Sequence, residues 1–378
     1  MKIFKINADT DFNALCDDIK PQIAGRKIMQ KKSNLHFFYL KDIKAPAANI
    51  LKQDALSVGA ELVCNDSVIL GQGVSNALLI ANDKQVELLA KKEALQDFEL
   101  KNLAKFLNLK FKKPKKPELM GVLNINDDSF NASSRINLND GISRIEAMIE
   151  NGADIIDLGG VSSRPGSEYC GEKVEFERIE KIISEIYRLN LHEKVKFSLD
   201  TFSGYCAEFA LNHGFCIIND IAANLELCKI VKRYGATYVL MHMQGNPKTM
   251  QNSPTYSDLI FQIDEFFASN LAKIAEFELE NVVLDVGIGF GKTPNQNLLL
   301  IKHLEHFLHF EKPLLVGASR KSVINFYSPS SVENRLAGSL YLHLKAFENG
   351  ASIIRTHDVR EHKQLFALNR AMQNISVW

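Results

Sequence analysis

The chain has 378 residues, too many for one ordinary core, so two domains are expected. Its 45 Lys and Arg residues balance 45 Asp and Glu residues, so no global field draws it to nucleic acid or to an anionic membrane, and any anion site must be local. Residues 1–11 lack the apolar core of a signal peptide, and no later stretch approaches a membrane-spanning run; the reading is a cytoplasmic protein with no membrane partner. Six cysteines (Cys16, Cys64, Cys170, Cys206, Cys216 and Cys228) are scattered without a Cys-x-x-Cys pair, which argues against a disulfide framework and against a zinc site.

Residues 1–110 read as a small α/β domain. Strands are expected at Lys2–Ile6, His36–Leu40, Glu61–Cys64 and Ala77–Ala81, with helices at Ala47–Val58, Gln85–Leu95 and Lys101–Leu107. The domain has no phosphate-binding glycine loop and no acid/His/Cys cluster, so a structural or contact role is expected. Residues 111–117, Phe-Lys-Lys-Pro-Lys-Lys-Pro, form an extended, solvated linker, because the prolines restrict the backbone and the lysines repel one another. No aromatic residue beyond Phe111 interleaves with those lysines, so they do not read as a nucleic-acid site.

From 118 to 378, strand-like runs alternate with amphipathic helices. The strands are Leu119–Ile125, Asp154–Leu158, Lys196–Asp200, Cys216–Ile221, Thr237–Met241, Asn281–Asp285, Pro313–Val316 and Ser352–Arg355. Gly152, Gly214, Gly235 and Gly350 fall just past helix ends, where C-terminal caps belong. Eight such units in this length predict a (β/α)8 TIM barrel, and no glycine-rich phosphate loop supports a doubly wound sheet instead.

Chemistry in such a barrel sits at the C-terminal strand ends. There the strands deliver, in order, Asn124 and Asp128; Ser162, Ser163 and Arg164; Asp200; Asn219 and Asp220; His242 and Gln244; Asp285 and the run Gly287-Ile-Gly-Phe-Gly-Lys-Thr293; Ser319, Arg320 and Lys321; and Arg355, His357 and Asp358. Asp200, Asn219 and Asp285 end apolar strands, and buried polar groups demand partners. A nitrogen-rich heterocycle with adjacent N–H donors would suit two carboxylates and a carboxamide. Arg164, Arg320, Lys321, Arg355 and His357 offer cationic donors for a diphosphate and a carboxylate.

These motifs resemble the dihydropteroate synthase family over the whole barrel. The matching segments are Met-Gly-Val-Leu-Asn124 with Asp128-Ser-Phe130, Asp157-Leu-Gly-Gly with Ser163-Arg-Pro-Gly166, Ser198-Leu-Asp-Thr201, Ile218-Asn-Asp220, Met241-His-Met-Gln-Gly245, Leu284-Asp285 with the glycine run that holds Phe290, Ser319-Arg-Lys321, and Arg355 with His357-Asp-Val359. The resemblance implies joining p-aminobenzoate to the methylene carbon of 6-hydroxymethyl-7,8-dihydropterin diphosphate with release of pyrophosphate, and it implies a sulfonamide target. Asp200, Asn219, Asp285 and Lys321 match the family's pterin-binding positions, and Met241 and Phe290 lie in the matched substrate-binding segments. Arg355, His357 and Asn124 match the positions that hold the diphosphate and its Mg²⁺, with Asn124 the metal ligand; Ser163, Arg164, Ser319 and Arg320 match the p-aminobenzoate region. Lys321, Arg355, His357 and Asp200 are thereby the expected catalytic set. The family's habit also implies a homodimer through outer barrel helices.

Two loops depart from the family pattern. Asn126 to Ser134 lack the proline, the second aspartate and both glycines of the usual first loop, while Val161 and Ser163 stand where the second loop carries Glu and Thr. These departures fall on loop closure and p-aminobenzoate placement, not on the pterin pocket. Two alternatives remain beside the synthase: a pterin-dependent methyltransferase, disfavoured because methyl transfer expels no diphosphate, and a non-catalytic pterin-binding protein. His303, His306 and His309 are read as solvated positions on an outer helix that do not converge, Asn131-Ala-Ser133 as an unused glycosylation sequon, and Lys292 as the end of a glycine run without Walker spacing.

Overall fold

The computed structural model describes residues 1–8, 10–125, 135–160, 171–245 and 254–375, with the backbone only for 135–137. It divides into two compact units: Met1–Lys110 with the C-terminal end from Ala371, and Phe111–Arg370.

In the first unit, α1 (Phe12–Ile19) and α2 (Ile23–Ser33) precede β1 (Leu35–Lys44), α3 (Ala45–Val58), β2 (Glu61–Cys64), β3 (Val74–Asn82), α4 (Asp83–Glu93) and α5 (Leu100–Leu107). The three strands form an antiparallel sheet in the order β1-β3-β2. Alternation along β3 sends Ala77, Leu79 and Ala81 into a core with Leu51, Ala55, Leu62 and Leu89. The expected strand at Lys2–Ile6 is not formed. Its apolar residues read as a strand, but the stretch joins neither edge of the three-stranded sheet, and Ile3 and Phe4 are exposed. Helices α1 and α2 were not anticipated; α1 starts where the Asp11 carboxylate accepts from Asn13 N at 2.7 Å.

The second unit runs β4 (Glu118–Asn124), α6 (Arg135–Glu150), β5 (Ile155–Gly159), α7 (Glu172–Arg188), β6 (Lys196–Asp200), α8 (Gly204–Asn212), β7 (Ile217–Asp220), α9 (Leu227–Arg233), β8 (Thr237–Met241), α10 (Leu259–Ala275), β9 (Val282–Asp285), α11 (Pro294–Lys302), β10 (Leu314–Val316), α12 (Ser322–Tyr327), α13 (Leu336–Glu348), β11 (Ile353–Thr356) and α14 (Val359–Asn374). Strands β4 to β11 close into an all-parallel barrel, with β11 pairing back onto β4. This is the expected (β/α)8 fold, and all eight expected strands lie within a residue or so of the observed ones at each end. Gly152, Gly214, Gly235 and Gly350 all have positive φ just past helix ends, as C-terminal caps require. Among the described residues, no helix is long and apolar enough to cross a membrane.

Two layers of apolar side chains hold the barrel. Inside, Met120, Ile155, Ile217, Val239, Val283, Leu315 and Ile353 form a plug across the strands. Outside, the opposite faces of the same strands, such as Leu158, Phe197, Leu199, Tyr238 and Leu284, pack on the helices.

One surface expectation is overturned. His306 and His309, on the 3₁₀ segment Leu304–Phe310, converge on Asp264 of α10, with Nε2 to Oδ1 distances of 3.1 and 2.5 Å, and are partly buried; His303 stands outside this group. The reading as three solvated histidines assumed α-helical spacing, whereas a 3₁₀ turn stacks residues three apart on one side.

Candidate active site

The plug fixes what lies above it, because side chains two residues apart on a strand share a face. Two positions beyond the plug residues Ile155, Ile217, Val239, Val283 and Ile353 stand Asp157, Asn219, Met241, Asp285 and Arg355, while β6 contributes Ser198 and Asp200. Polar side chains therefore collect at the C-terminal end of the barrel interior, one strand after another.

Arg355 is the centre of this layer. Its Nε donates to Asp157 Oδ2 at 2.7 Å and its terminal nitrogen to Asp200 Oδ2 at 3.1 Å, partners 198 and 155 residues away in the chain. Burial works against its charge, but Asp157 and Asp200 outweigh that and raise its pKa. Burial pushes the Asp200 carboxyl upward, with Arg355 pulling the other way. Asn219 Nδ2 donates to Asp157 Oδ2 at 3.1 Å, so the carboxamide is oriented by the same acid. Asp157 Oδ1 and Ser198 Oγ are buried without a hydrogen-bond partner among the described residues.

Across the barrel, Asp285 accepts from Gly287 N at 2.7 Å; burial raises its pKa while Lys321 lowers it. The Lys321 ammonium donates to Ile288 O and lies 4.6 Å from the centre of the Phe290 ring. Burial lowers Lys321 to about 8, with Asp285 holding it up. Asp200, Asn219, Asp285, Lys321 and Arg355 thus meet in one interior, and Met241 pairs in register with Asp285.

The rim divides the remaining expected residues. Ser319 Oγ lies 3.0 Å from His357 Nδ1 and accepts from His357 N, joining the ends of β10 and β11. Arg320 turns toward Asp358, its Nε donating to Oδ2 at 3.1 Å and its terminal nitrogen closing the pair, so its charge is already matched. Asn124 ends β4 half-buried, and its carboxamide has no hydrogen-bond partner among the described residues. Ser162, Ser163, Arg164 and Asp128 lie outside the described residues.

Three strand-end residues serve the scaffold instead of the cavity. Asp220 accepts from Ala222 N, Asn224 N and the Tyr238 hydroxyl, closing its own loop. His242 is buried and accepts at Nδ1 from Lys292 Nζ at 3.0 Å; burial and that lysine hold it down at about 3. Lys292 also donates to the carbonyls of His242, Gly287 and Phe290, and burial lowers it to about 7. The glycine run is therefore a packing device. A Cβ on Gly287 would sit 1.9 Å from His242 O, and one on Gly291 2.5 Å from Gln244 O, both at positive φ.

Beneath the β10 and β11 ends runs a buried chain that the sequence reading missed. Ala318 N donates to His343 Nε2 at 2.8 Å, His343 Nδ1 meets His362 Nε2 at 2.7 Å, and His362 Nδ1 meets Asp358 O at 2.7 Å. A donor at one end and an acceptor at the other fix both imidazoles as neutral, each with its proton on Nδ1. Burial holds both pKa values down.

A closed parallel barrel that concentrates desolvated acids, a carboxamide and cations at its C-terminal end belongs to the (β/α)8 enzymes. A family model described as pterin binding enzyme matches residues 120–357, and the chain belongs to that family. It is 39% identical over 378 residues, 99% of either chain, to a bifunctional dihydropteroate synthase/dihydropteroate reductase of Helicobacter pylori. It is 38% identical to the dihydropteroate synthase of Escherichia coli over 250 residues, which are 65% of this chain and 88% of that one. The crystal structure of Yersinia pestis dihydropteroate synthase with a sulfonamide drug superposes with a TM-score of 0.63 at 34% identity, covering 68% of this chain and 94% of the other.

Proposed function

We propose that the barrel catalyses the dihydropteroate synthase reaction. The observation that carries the reading is the shared interior of Asp200, Asn219, Asp285, Lys321 and Arg355 in a chain of this family. The amine nitrogen of p-aminobenzoate bonds to the pterin methylene carbon, the carbon–oxygen bond breaks, its electron pair leaves with pyrophosphate, and the amine then loses a proton to solvent. An aromatic amine is a modest nucleophile at neutral pH, so the barrier lies mainly in carbon–oxygen cleavage, and charge stabilisation dominates.

In this reading Asp200, Asn219 and Asp285 accept from and orient the pterin ring, and the two acids favour the positive charge that the ring takes up as the bond breaks. Lys321 lies against Phe290, beside the same pocket. Arg355 and His357 receive the diphosphate, and Ser319 holds His357 in place. Asn124 fits a hard cation, since it offers a neutral oxygen at a strand end and has no other partner among the described residues. Mg²⁺ bound there with diphosphate oxygens would neutralise charge on the leaving group. Arg320 and Ser319, with Ser163 and Arg164, form the p-aminobenzoate region; Arg320 is already engaged with Asp358, so its part there is to fix the loop. A dimer through outer helices accompanies this reading.

The test incubates the chain with dihydropterin diphosphate, p-aminobenzoate and Mg²⁺ while both pyrophosphate and dihydropteroate are followed. Equal appearance of the two is expected. Pterin binding by calorimetry with neither product would leave a binding protein, and pyrophosphate alone would place the fault in the p-aminobenzoate site.

A second activity follows from the span of the full-length match. Identity to the bifunctional relative extends across 99% of the chain, through the residues that the family model leaves out. We infer that the first unit, instead of the structural or contact role expected for it, serves the reduction of dihydropteroate, with two electrons and two protons supplied by a reduced nicotinamide or flavin and solvent. Supplying dihydropteroate with each donor and reading tetrahydropteroate tests this; no product with either donor would limit the chain to the synthase reaction.

A further inference from the structure

The Asp264, His306 and His309 cluster lies in the outer helical layer and takes no part in the chemistry above. The 3₁₀ segment stacks the two imidazoles on one side, and both present Nε2 to the same oxygen of Asp264, with all three candidate ligand atoms within 4.8 Å of one another.

Aromatic rings flank the two imidazoles, and the three candidate ligands are partly buried. Phe307 and Phe310 lie with ring centres 5.2 and 4.0 Å from His306 and His309 respectively, while Phe261 and Phe111 approach the same two imidazoles at 6.5 Å. A compact set of two imidazole nitrogens and a carboxylate oxygen is a donor set suited to a transition-metal dication. We propose that Asp264, His306 and His309 bind a transition-metal dication, zinc being the best match to two imidazoles and one carboxylate.

Zinc bonds to imidazole nitrogen and carboxylate oxygen at about 2.0–2.2 Å, so tetrahedral ligand atoms stand about 3.3 Å apart. The His306 distance is already near that value, and the His309 contact must open by less than an ångström. On binding, the Nε2 proton shared with Asp264 passes to solvent and each ring carries its remaining proton on Nδ1, so both imidazoles stay neutral, and water fills the fourth position. The cluster lies where the chain enters the barrel: Phe111 meets the His309 ring edge-on, and Lys113 pairs with Glu305 at 2.7 Å. A metal at this place would pin α10, the 3₁₀ segment and the entering chain together.

The full, tag-free chain is stripped with chelator, and saturating Mg²⁺ is added to occupy any site for hard cations. Zinc is titrated by calorimetry, and cobalt is added as a spectroscopic probe. One equivalent of zinc, an intense visible cobalt spectrum of tetrahedral type and a higher thermal midpoint are expected. His309→Ala and Asp264→Asn should lose the bound equivalent and the spectrum, whereas His303→Ala should keep both. His306→Asn retains a donor toward Asp264, so it tests the site even if the alanine variant fails to fold. Zinc binding of equal stoichiometry in the Asp264 and His306 variants, or none in the parent chain, would overturn the proposal and leave a hydrogen-bonded clamp.

Discussion

In the barrel, every strand is covered on both faces, by the plug within and the helices without. In the first unit, β1, β3 and β2 bury one face only. Their other face leaves Leu35, Phe37, Tyr39 and Val63 exposed. The contrast shows why the charged chemistry sits where it does. A closed interior strips water from Asp157, Asp200, Asp285, Lys321 and Arg355 together, so each must be answered by another or by a ligand. An open sheet leaves its polar groups to solvent. The first unit has one matching feature, Glu93, which is fully buried, and burial with Asp54 nearby pushes it up to about 7 against the pull of Lys92.

The largest effect should come from Arg355→Ala, which leaves Asp157 and Asp200 buried without their cation. Breaking a buried pair costs about 3–5 kcal/mol, so the barrel's thermal transition should fall steeply and synthase turnover should vanish with it. An unchanged midpoint would mean that the two acids do not depend on Arg355. Next, Lys321→Ala should lower kcat/KM by at least about 100-fold while the circular dichroism spectrum is kept. In the parent enzyme, kcat/KM should decline as pH rises through about 8, where Lys321 loses its proton, and Lys321→Arg should move that limb upward.

Acid should act on the barrel through His343 and His362. Both are held below their ordinary range, so the unfolded chain takes up protons below about pH 6.5 while the folded one does not. The stability they preserve is complete above that pH and is lost as pH falls toward the folded-state values; denaturant melts between pH 7 and 5 would read this. His343→Gln should flatten the slope.

The smallest effect belongs to the first unit. Glu93 is raised, so its folded state holds a proton that the unfolded state releases above about 4.5. Stability there should decline as pH rises from that value toward about 7, and Glu93→Gln should remove the decline. A slope that survives the substitution would place its source elsewhere.

Much of the barrel was legible because parallel strands buried on both faces are written as short continuous apolar runs, each ending in a polar group. Asp200, Asn219, Asp285 and Arg355 could be read from that ending alone. Asp157 lies inside a matched motif but is absent from the expected site residues. The available signal was an acid two residues after Ile155 inside an apolar run. Lys292 with His242, and His343 with His362, were not legible as pairs, because their partners come together only when neighbouring strand–helix units pack. Asp220 was misread because a strand-end acid that caps its own loop has the same local sequence as one that faces a ligand. In the first unit, Lys2–Ile6 failed for a different reason: an apolar run of strand length is only a local signal, and pairing with a sheet edge decides whether a strand forms.

The seam of the barrel has a consequence for how the chain is made. Glu118 pairs with Ile353 and Gly121 with Thr356, so the first barrel strand waits for the last before the ring is complete. The small sheet is finished at Asn82, while much of the chain is still unsynthesised. During translation the earlier barrel strands must persist as an open, edge-bearing intermediate until Ile353–Thr356 is made, and contacts this distant in sequence form slowly. The pairing of the small sheet can thus be complete before the last strand of the barrel exists, so the exposed edges of the unfinished ring are the part of the nascent chain most open to mispairing.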